Sequence, residues 1–267
     1  MILNLLQTIG AAGLRFFAYL GQLVSLVCEI GISIVSARPR IRLTGQQLVS
    51  IGFGSQLVVA VSGEFTGAVF AAQIYFKFND LGLSSATGPV VSLAMCRELG
   101  PVLTALMIAG RVGGSMAAEI GTMKVTEQVD ALRSMGIHPV DYLVVPRVFG
   151  TLISMPLLVA EAIGFGIFAG HFLVVNMFHV PPAWFDYQVY VHTSIVDIAI
   201  GMIKGLVFGA LIVLISCHEG LRAKSGAVGV GKATTSAVVI SSLAILISNL
   251  FLSLILNHIF PLGSSAY

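Results

Sequence analysis

Charge is scarce in this chain. Only 10% of its 267 residues are Asp, Glu, Lys or Arg, against about a quarter in an ordinary soluble domain. The 14 basic and 12 acidic residues nearly cancel, to a net charge of +2, so the broad positive field of a nucleic-acid binder is missing. Cysteine is rare as well. Cys28, Cys96 and Cys217 lie far apart in apolar stretches without CxxC spacing, the pattern of reduced packing residues. The six histidines, His138, His171, His179, His192, His218 and His258, include no pair four apart that would face one metal from a helix. No metal and no cofactor held by this chain is therefore expected. No GxSxG run marks an intramembrane hydrolase either, and the chain is expected not to be an enzyme itself.

Apolar residues are what the chain has instead, at 57%, with a mean hydropathy of +0.97. Such a sequence has lipid as its main solvent, and its length suits one all-α bundle. A bilayer core of about 30 Å needs about 20 helical residues. Five segments qualify: Leu48 to Phe76, Ala86 to Ala109, Val148 to Val175, Ile195 to Cys217 and Thr234 to Phe260. Residues 48–267 then form one transmembrane domain, preceded by an N-terminal helix and linker over 1–47. Between the third and fourth spans, Pro181, Pro182, Trp184, Tyr187 and Tyr190 have the composition of a loop at a membrane surface.

Lys and Arg set the expected orientation. With a cytoplasmic N-terminus, the inner segments hold Arg15, Arg38, Arg40, Arg42, Arg111, Lys124, Arg133, Arg147, Arg222, Lys224 and Lys232, while the outer segments hold Lys77 alone. That asymmetry puts the tail from Pro261 to Tyr267 outside. Near the N-terminus, Gln22, Ser25, Glu29, Ser33 and Ser36 recur at three- or four-residue steps among apolar neighbours. The pattern predicts an amphipathic helix in the cytoplasmic interface; a sixth span with the stripe turned inward is the alternative. Glu29 interrupts the apolar run and no small-residue cleavage site comes after it, which argues against a cleaved signal peptide.

Membrane helices associate through close packing, and glycines four apart recur, as in Gly63/Gly67, Gly110/Gly114, Gly166/Gly170 and Gly201/Gly205/Gly209. Charges within spans cost about 2.5–3.5 kcal/mol each and need a partner, water or a role. Arg97 and Glu98 share the second span, Lys204 lies in the fourth, Glu64 in the first and Glu161 in the third. Adjacent residues on a helix point about 100° apart, so Arg97 and Glu98 face different surroundings, and Lys204 is a candidate to neutralise Glu98. Two readings stand side by side: a buried ion pair that fixes the bundle's register, or a polar patch in a conduit. Gly100 and Pro101 favour a kink there.

From Ala117 to Asp141 the chain is helical in pattern but too polar to span, with Glu119, Lys124, Glu127, Asp130, Arg133 and His138 in the stretch. Thr126 is positioned to cap its helix, and Gly136 with Pro139 to end it. Such a piece suits docking of a soluble partner. The run Gly226 to Lys232, GAVGVGK, imitates a phosphate loop, but Ala233 stands where a magnesium-holding hydroxyl belongs and the run joins two apolar spans. Any ATP and magnesium are therefore expected in another chain.

RELGPV (Arg97 to Val102), the long stretch from Ala109 to Arg147 and GKATTSAVV (Gly231 to Val239) resemble the MlaE (YrbE) permease family. The resemblance implies a homodimeric permease subunit of an ABC transporter that moves phospholipid or a related lipid between inner and outer membranes and so maintains outer-membrane asymmetry. It implies five spans and an interfacial helix per chain, residence in the bacterial inner membrane, and a cytoplasmic ABC ATPase docked on the segment from Glu119 to Pro139. It also implies a periplasmic MCE-domain hexamer and, in some systems, a STAS-domain protein. Arg97, Glu98 and Lys204 correspond to charges of the family's lipid conduit. Glu64 is a departure, at a first-span position expected to be apolar. A secondary, ion-coupled transporter of a hydrophobic molecule, titrating Glu98, Glu161 and Lys204, is the alternative, although no internal repeat of the usual kind is visible.

Overall fold

The structure, a computed structural model, describes residues 2–36, 40–224 and 226–261. Among them every regular element is helical, as expected where lipid offers no partner to a free backbone amide or carbonyl. In chain order the helices are α1 (Ile2–Ser36), α2 (Ile41–Asp80), α3 (Thr87–Val125), α4 (Gln128–Ser134), α5 (Val140–Asn176), α6 (Pro182–His192), α7 (Ile195–Leu221) and α8 (Gly226–Ile259). Stretches of α1, α2, α3, α5, α7 and α8 are long and apolar enough to cross a membrane. This is the architecture of a multi-pass membrane protein. Arg38 and residues 262–267 of the expected outer tail lie outside the described residues, as do the side chains of Arg15 and Ser36.

The helices overrun the expected spans. α2 starts at Ile41 rather than Leu48, α5 at Val140 rather than Val148, and α8 at Gly226 rather than Thr234. Hydropathy reports the thickness of hydrocarbon, whereas a helix continues into the interface until its backbone is stopped. The overruns gather at one end of the bundle, which also carries Arg40, Arg42, Lys124, Arg133, Arg147, Arg222, Lys224 and Lys232; it is termed the basic end below. The expected surface loop between the third and fourth spans is corrected in part, because Pro182–His192 is a helix, α6. Two prolines set its start, where a missing amide hydrogen costs nothing, and neither glycine nor proline interrupts the next ten residues.

α1 lies across the basic end. The Tyr19 ring meets the edge of His218, near the end of α7, with centroids 5.0 Å apart. Ser33 donates a hydrogen bond to Asp141, near the start of α5, and Leu26 and Ile30 are buried between these points. Tyr19 and Ser33 are about 21 Å apart along a helix, yet both partners belong to the same end of the bundle. A sixth helix running alongside the others would place them at different depths. The polar stripe divides accordingly: Ser33 turns into the bundle, while Ser25 and Glu29 stay exposed.

α3, α5 and α7 form the centre, where Met95, Ile108, Met155, Phe208 and Ile212 are fully buried. α3 is largely buried among its neighbours, whereas α8 is mostly exposed, so α8 sits at the periphery with an apolar outer face. α2 crosses α5 at the glycines noted from spacing. A methyl group on Gly67 would stand 2.1 Å from the carbonyl oxygen of Gly166, so only a residue without a side chain admits this approach. These glycines build the chain's own bundle.

Candidate functional site

The intramembrane charges assemble into two layers around one irregular turn of α3. Met95–Leu99 is wound as a π-helical turn, followed by Gly100 and Pro101. In a regular helix the residue at 101 would donate to the carbonyl of residue 97, but proline has no amide hydrogen. That freed oxygen is taken from another helix: Lys204 Nζ on α7 donates to the Arg97 carbonyl at 2.7 Å. The kink expected from Gly100 and Pro101 is thus tied to the charges by a hydrogen bond.

In the first layer Arg97 Nε meets Asp197 Oδ1 at 2.6 Å, with side chains 9% and 5% exposed. Arg97 Nη1 donates to Asn257 Oδ1 at 2.7 Å and to the Phe260 carbonyl at 3.3 Å, both at the end of α8. Asp197 also accepts from the backbone amide of Ser194 at 2.8 Å, closing a capping box at the start of α7. One carboxylate therefore caps α7 and neutralises the guanidinium of α3. In the second layer Lys204, 1% exposed, reaches Glu98 Oε1 at 2.9 Å and Ser253 Oγ at 2.8 Å. Ser253 donates onward to Glu98 Oε1 at 2.8 Å, and Asn249 Nδ2 donates to Oε2 at 3.0 Å.

Of the four charges only Glu98 faces outward, with 41% of its side chain exposed. Lys204 is the interior group that holds it, while Arg97 is spent on Asp197, Asn257 and the Phe260 carbonyl. Three donors fix its carboxylate, so the network offers the outside one oriented negative group and no free cation. α2 and α3 leave an open groove of about 370 Å³ walled by Phe65, Thr66, Val69, Phe70, Gln73 and Leu99; Glu98 does not line it, and only its neighbour Leu99 joins the groove to this turn of α3. Glu64 is exposed on α2 and shares no hydrogen bond or ion pair with the network among the described residues; Glu161, half-buried on α5, is likewise apart from it. The sequence reading missed Asp197, Asn249, Ser253 and Asn257. A signal was present: Asn249, Ser253 and Asn257 are spaced four apart on one face of an apolar helix, and Ser194 with Asp197 matches a capping box.

At the basic end, the stretch from Ala117 to Asp141 is not one helix. α3 runs on to Val125, the chain turns at Thr126 and Glu127, and α4 occupies only Gln128–Ser134. Thr126 does not cap α4. Its hydroxyl donates to the Thr122 carbonyl at 2.8 Å and closes the helix behind it, while Glu127 takes the N-cap position with φ at +62°. The stop at Gly136 is as expected: with φ at +74° it lets its own amide reach Arg133 O and the Ile137 amide reach Leu132 O, both at 3.0 Å, a Schellman motif.

Lys124 Nζ meets both oxygens of Asp130, at 3.0 and 2.9 Å, which locks the turn. Its ammonium holds the Asp130 carboxyl below the usual carboxylate value. Arg147, itself bonded to the Leu143 carbonyl, reaches Glu119 Oε2 at 2.9 Å and joins α5 to α3. His138 Nδ1 lies 3.7 Å from Asp141. Among the residues left exposed on α4 and its flanks are Glu127, Gln128, Arg133, Met135 and His138. The imitation phosphate loop is wound as regular helix from the first residue of α8, so only its first-turn amides are free and no loop wraps around a phosphate.

The sequence profile described as Permease MlaE matches residues 44–255, from α2 to near the end of α8. The chain belongs to the MlaE permease family. A probable ABC transporter permease protein of Rickettsia typhi is 42% identical over 250 residues, covering 93% of this chain and 96% of its own. One of Synechocystis is 42% identical over 228 residues, covering 85% and 87%. The Arabidopsis thaliana chloroplastic protein Trigalactosyldiacylglycerol 1 is 38% identical over 225 residues, covering 84% of this chain and 64% of that protein.

As an MlaE-family member this chain is a membrane permease, and the relatives' naming as ABC transporter permeases implies an ATPase partner. The match covers Arg97, Glu98, Asp197, Lys204 and α4, whereas all of α1 precedes it and Asn257 and Phe260 follow it.

Proposed function

We propose that this MlaE permease moves phospholipid between the inner and outer membranes of a bacterium, as one half of a homodimer, and so maintains outer-membrane lipid asymmetry. The observation that carries the reading is Glu98: one oriented carboxylate, fixed by Lys204, Ser253 and Asn249, exposed within a membrane-spanning helix and one residue before Leu99 of a largely apolar groove. A polar headgroup with apolar tails is the kind of cargo such a surface accepts. Lys204 holds Glu98 in place, Arg97 ties α3 to α7 and α8 behind it, and Glu64, exposed on α2, is assigned to the same translocation path. The Arabidopsis relative's name, that of a galactolipid, supports a lipid cargo.

The basic end faces the cytoplasm of the inner membrane, because Lys and Arg are retained on that side, so the N-terminus is cytoplasmic and the C-terminus periplasmic. A cytoplasmic ABC ATPase docks there on α4 and its flanks, through Glu119, Lys124, Glu127, Asp130, Arg133 and His138, and supplies the ATP and magnesium chemistry. An MCE-domain hexamer receives lipid on the periplasmic face, and in some systems a STAS-domain protein accompanies the ATPase. The test is transfer of labelled phospholipid from proteoliposomes holding the permease and its ATPase. Transfer that requires ATP supports the proposal. Transfer that persists without the ATPase and collapses with the proton gradient would replace it with an ion-coupled carrier.

A further inference from the structure

A cavity of about 860 Å³ opens at the basic end, away from the Glu98 network, between α1, the turn joining α7 to α8, and the first half of α8. Its wall includes three cations, Arg222, Lys224 and Lys232, against one acid, Glu219. Lys224 and Lys232 are exposed and form no ion pair among the described residues. Arg222 is turned toward His218, 3.4 Å away, and is not neutralised by an acid in that contact. Cations therefore outnumber acids three to one in this concave site, and neither lysine is paired among the described residues.

The same cavity changes character along α8. Val228 and Ile240 both line it, and twelve helical residues between them correspond to about 18 Å of depth. The cations stand at the shallow end, and Ile240 at the deep end. Tyr19 of α1, which lies across this end of the bundle, closes the side. A site that is cationic at the membrane surface and apolar below it matches an amphiphile with an anionic head, and basic pockets between membrane helices are where such headgroups bind.

We propose that this cavity binds the anionic headgroup of a phospholipid from the leaflet at the basic end, with Lys224 and Lys232 as its principal contacts and Arg222 in support. The purpose of such capture, loading of cargo, rests on the lipid-permease reading; the binding itself does not. A nucleotide or free phosphate would share the headgroup chemistry but not the apolar depth beside Ile240.

The experiment uses the permease with its ATPase in nanodiscs of phosphatidylcholine, titrated with phosphatidylglycerol and read by lipid retained in native mass spectrometry. At about fivefold per cation near a membrane surface, Lys224→Gln with Lys232→Gln should weaken phosphatidylglycerol binding about 25-fold. Phosphatidylcholine binding should be unchanged, and Lys224→Arg with Lys232→Arg should restore the wild-type value, which separates lost charge from lost folding. Inorganic phosphate should not displace the lipid. Equal phosphatidylglycerol binding by the Gln variant and the wild type would overturn the site. So would displacement by inorganic phosphate, or loss of the ATPase from the Gln variant with lipid binding intact, which would make the cavity a docking surface. Charge-dependent binding in a complex that transfers no lipid would keep the site and sink the function proposed above, so the two failures are distinguishable.

Discussion

Replacing Asp197 by Ala removes the partner of a guanidinium that water hardly reaches. Arg97 and Asp197 have side chains 9% and 5% exposed and meet at 2.6 Å. Breaking one side of such a pair leaves an uncompensated buried charge, at about 3–5 kcal/mol. Asp197 also accepts the Ser194 amide in the capping box of α7, which adds about 1 kcal/mol. The expected loss is therefore about 4–6 kcal/mol. Removing both charges, as Arg97→Met with Asp197→Leu, takes away the unpaired ion. What remains is the lost cap and the acceptors at Asn257 and Phe260 left without their donor, about 1–3 kcal/mol in all. Equilibrium unfolding of the purified permease in mixed micelles measures both. The double variant should be the more stable, by about 1–5 kcal/mol. A single variant within about 1 kcal/mol of wild type, or a double variant no better than the single, would refute the view that this layer holds α3, α7 and α8 together.

Glu98→Lys places a cation beside Lys204 Nζ, which now lies 2.9 Å from the carboxylate; ATP-driven lipid transfer should fail while membrane insertion and assembly persist, and wild-type transfer would return Glu98 to a purely structural part. Charge reversal at Glu127, exposed at the head of α4, should reduce co-purification of the ATPase, and unchanged recovery would remove it from the docking surface. Gly67→Leu drives a side chain into the Gly166 carbonyl, so the variant should not yield a folded bundle; a monodisperse, stable product would show that α2 and α5 can separate cheaply. Asp130 has a lowered folded-state value because of Lys124, so its stabilisation is complete above the ordinary carboxylate range and is lost as pH falls through the lowered value. Hydrogen exchange across residues 124–134, corrected for intrinsic rate, should match at about pH 8 and about pH 5 and rise only in stronger acid; a rise already at about pH 5 would contradict the pairing.

Much of the bundle is legible in the sequence because apolar runs and glycine spacing are local properties. The five spans, the pairing of Lys204 with Glu98 and the stop at Gly136 can all be had from residues read in order. The breaks are less legible. Thr126 looks like a cap for α4, yet its hydroxyl serves the helix before it, because a threonine at a junction has carbonyls and amides on both sides. α6 reads as a loop because interfacial composition reports location, not backbone conformation. Asp197 escapes because, in the first turn of α7, it reads as a helix-end carboxylate that needs no partner, unlike Lys204 in the middle of the span.

That this protein lives in lipid, that one end of it is basic, and that it resembles a particular family are all written residue by residue, since solvent preference and motif need no neighbour from elsewhere in the chain. Folding alone settles that Arg97 and Lys204 are buried and spent on neighbours while Glu98 looks outward. Exposure is a property of packed helices: α7 and α8 must both be in place before a proline-freed carbonyl, a capping carboxylate and a row of polar side chains can share the same two cations.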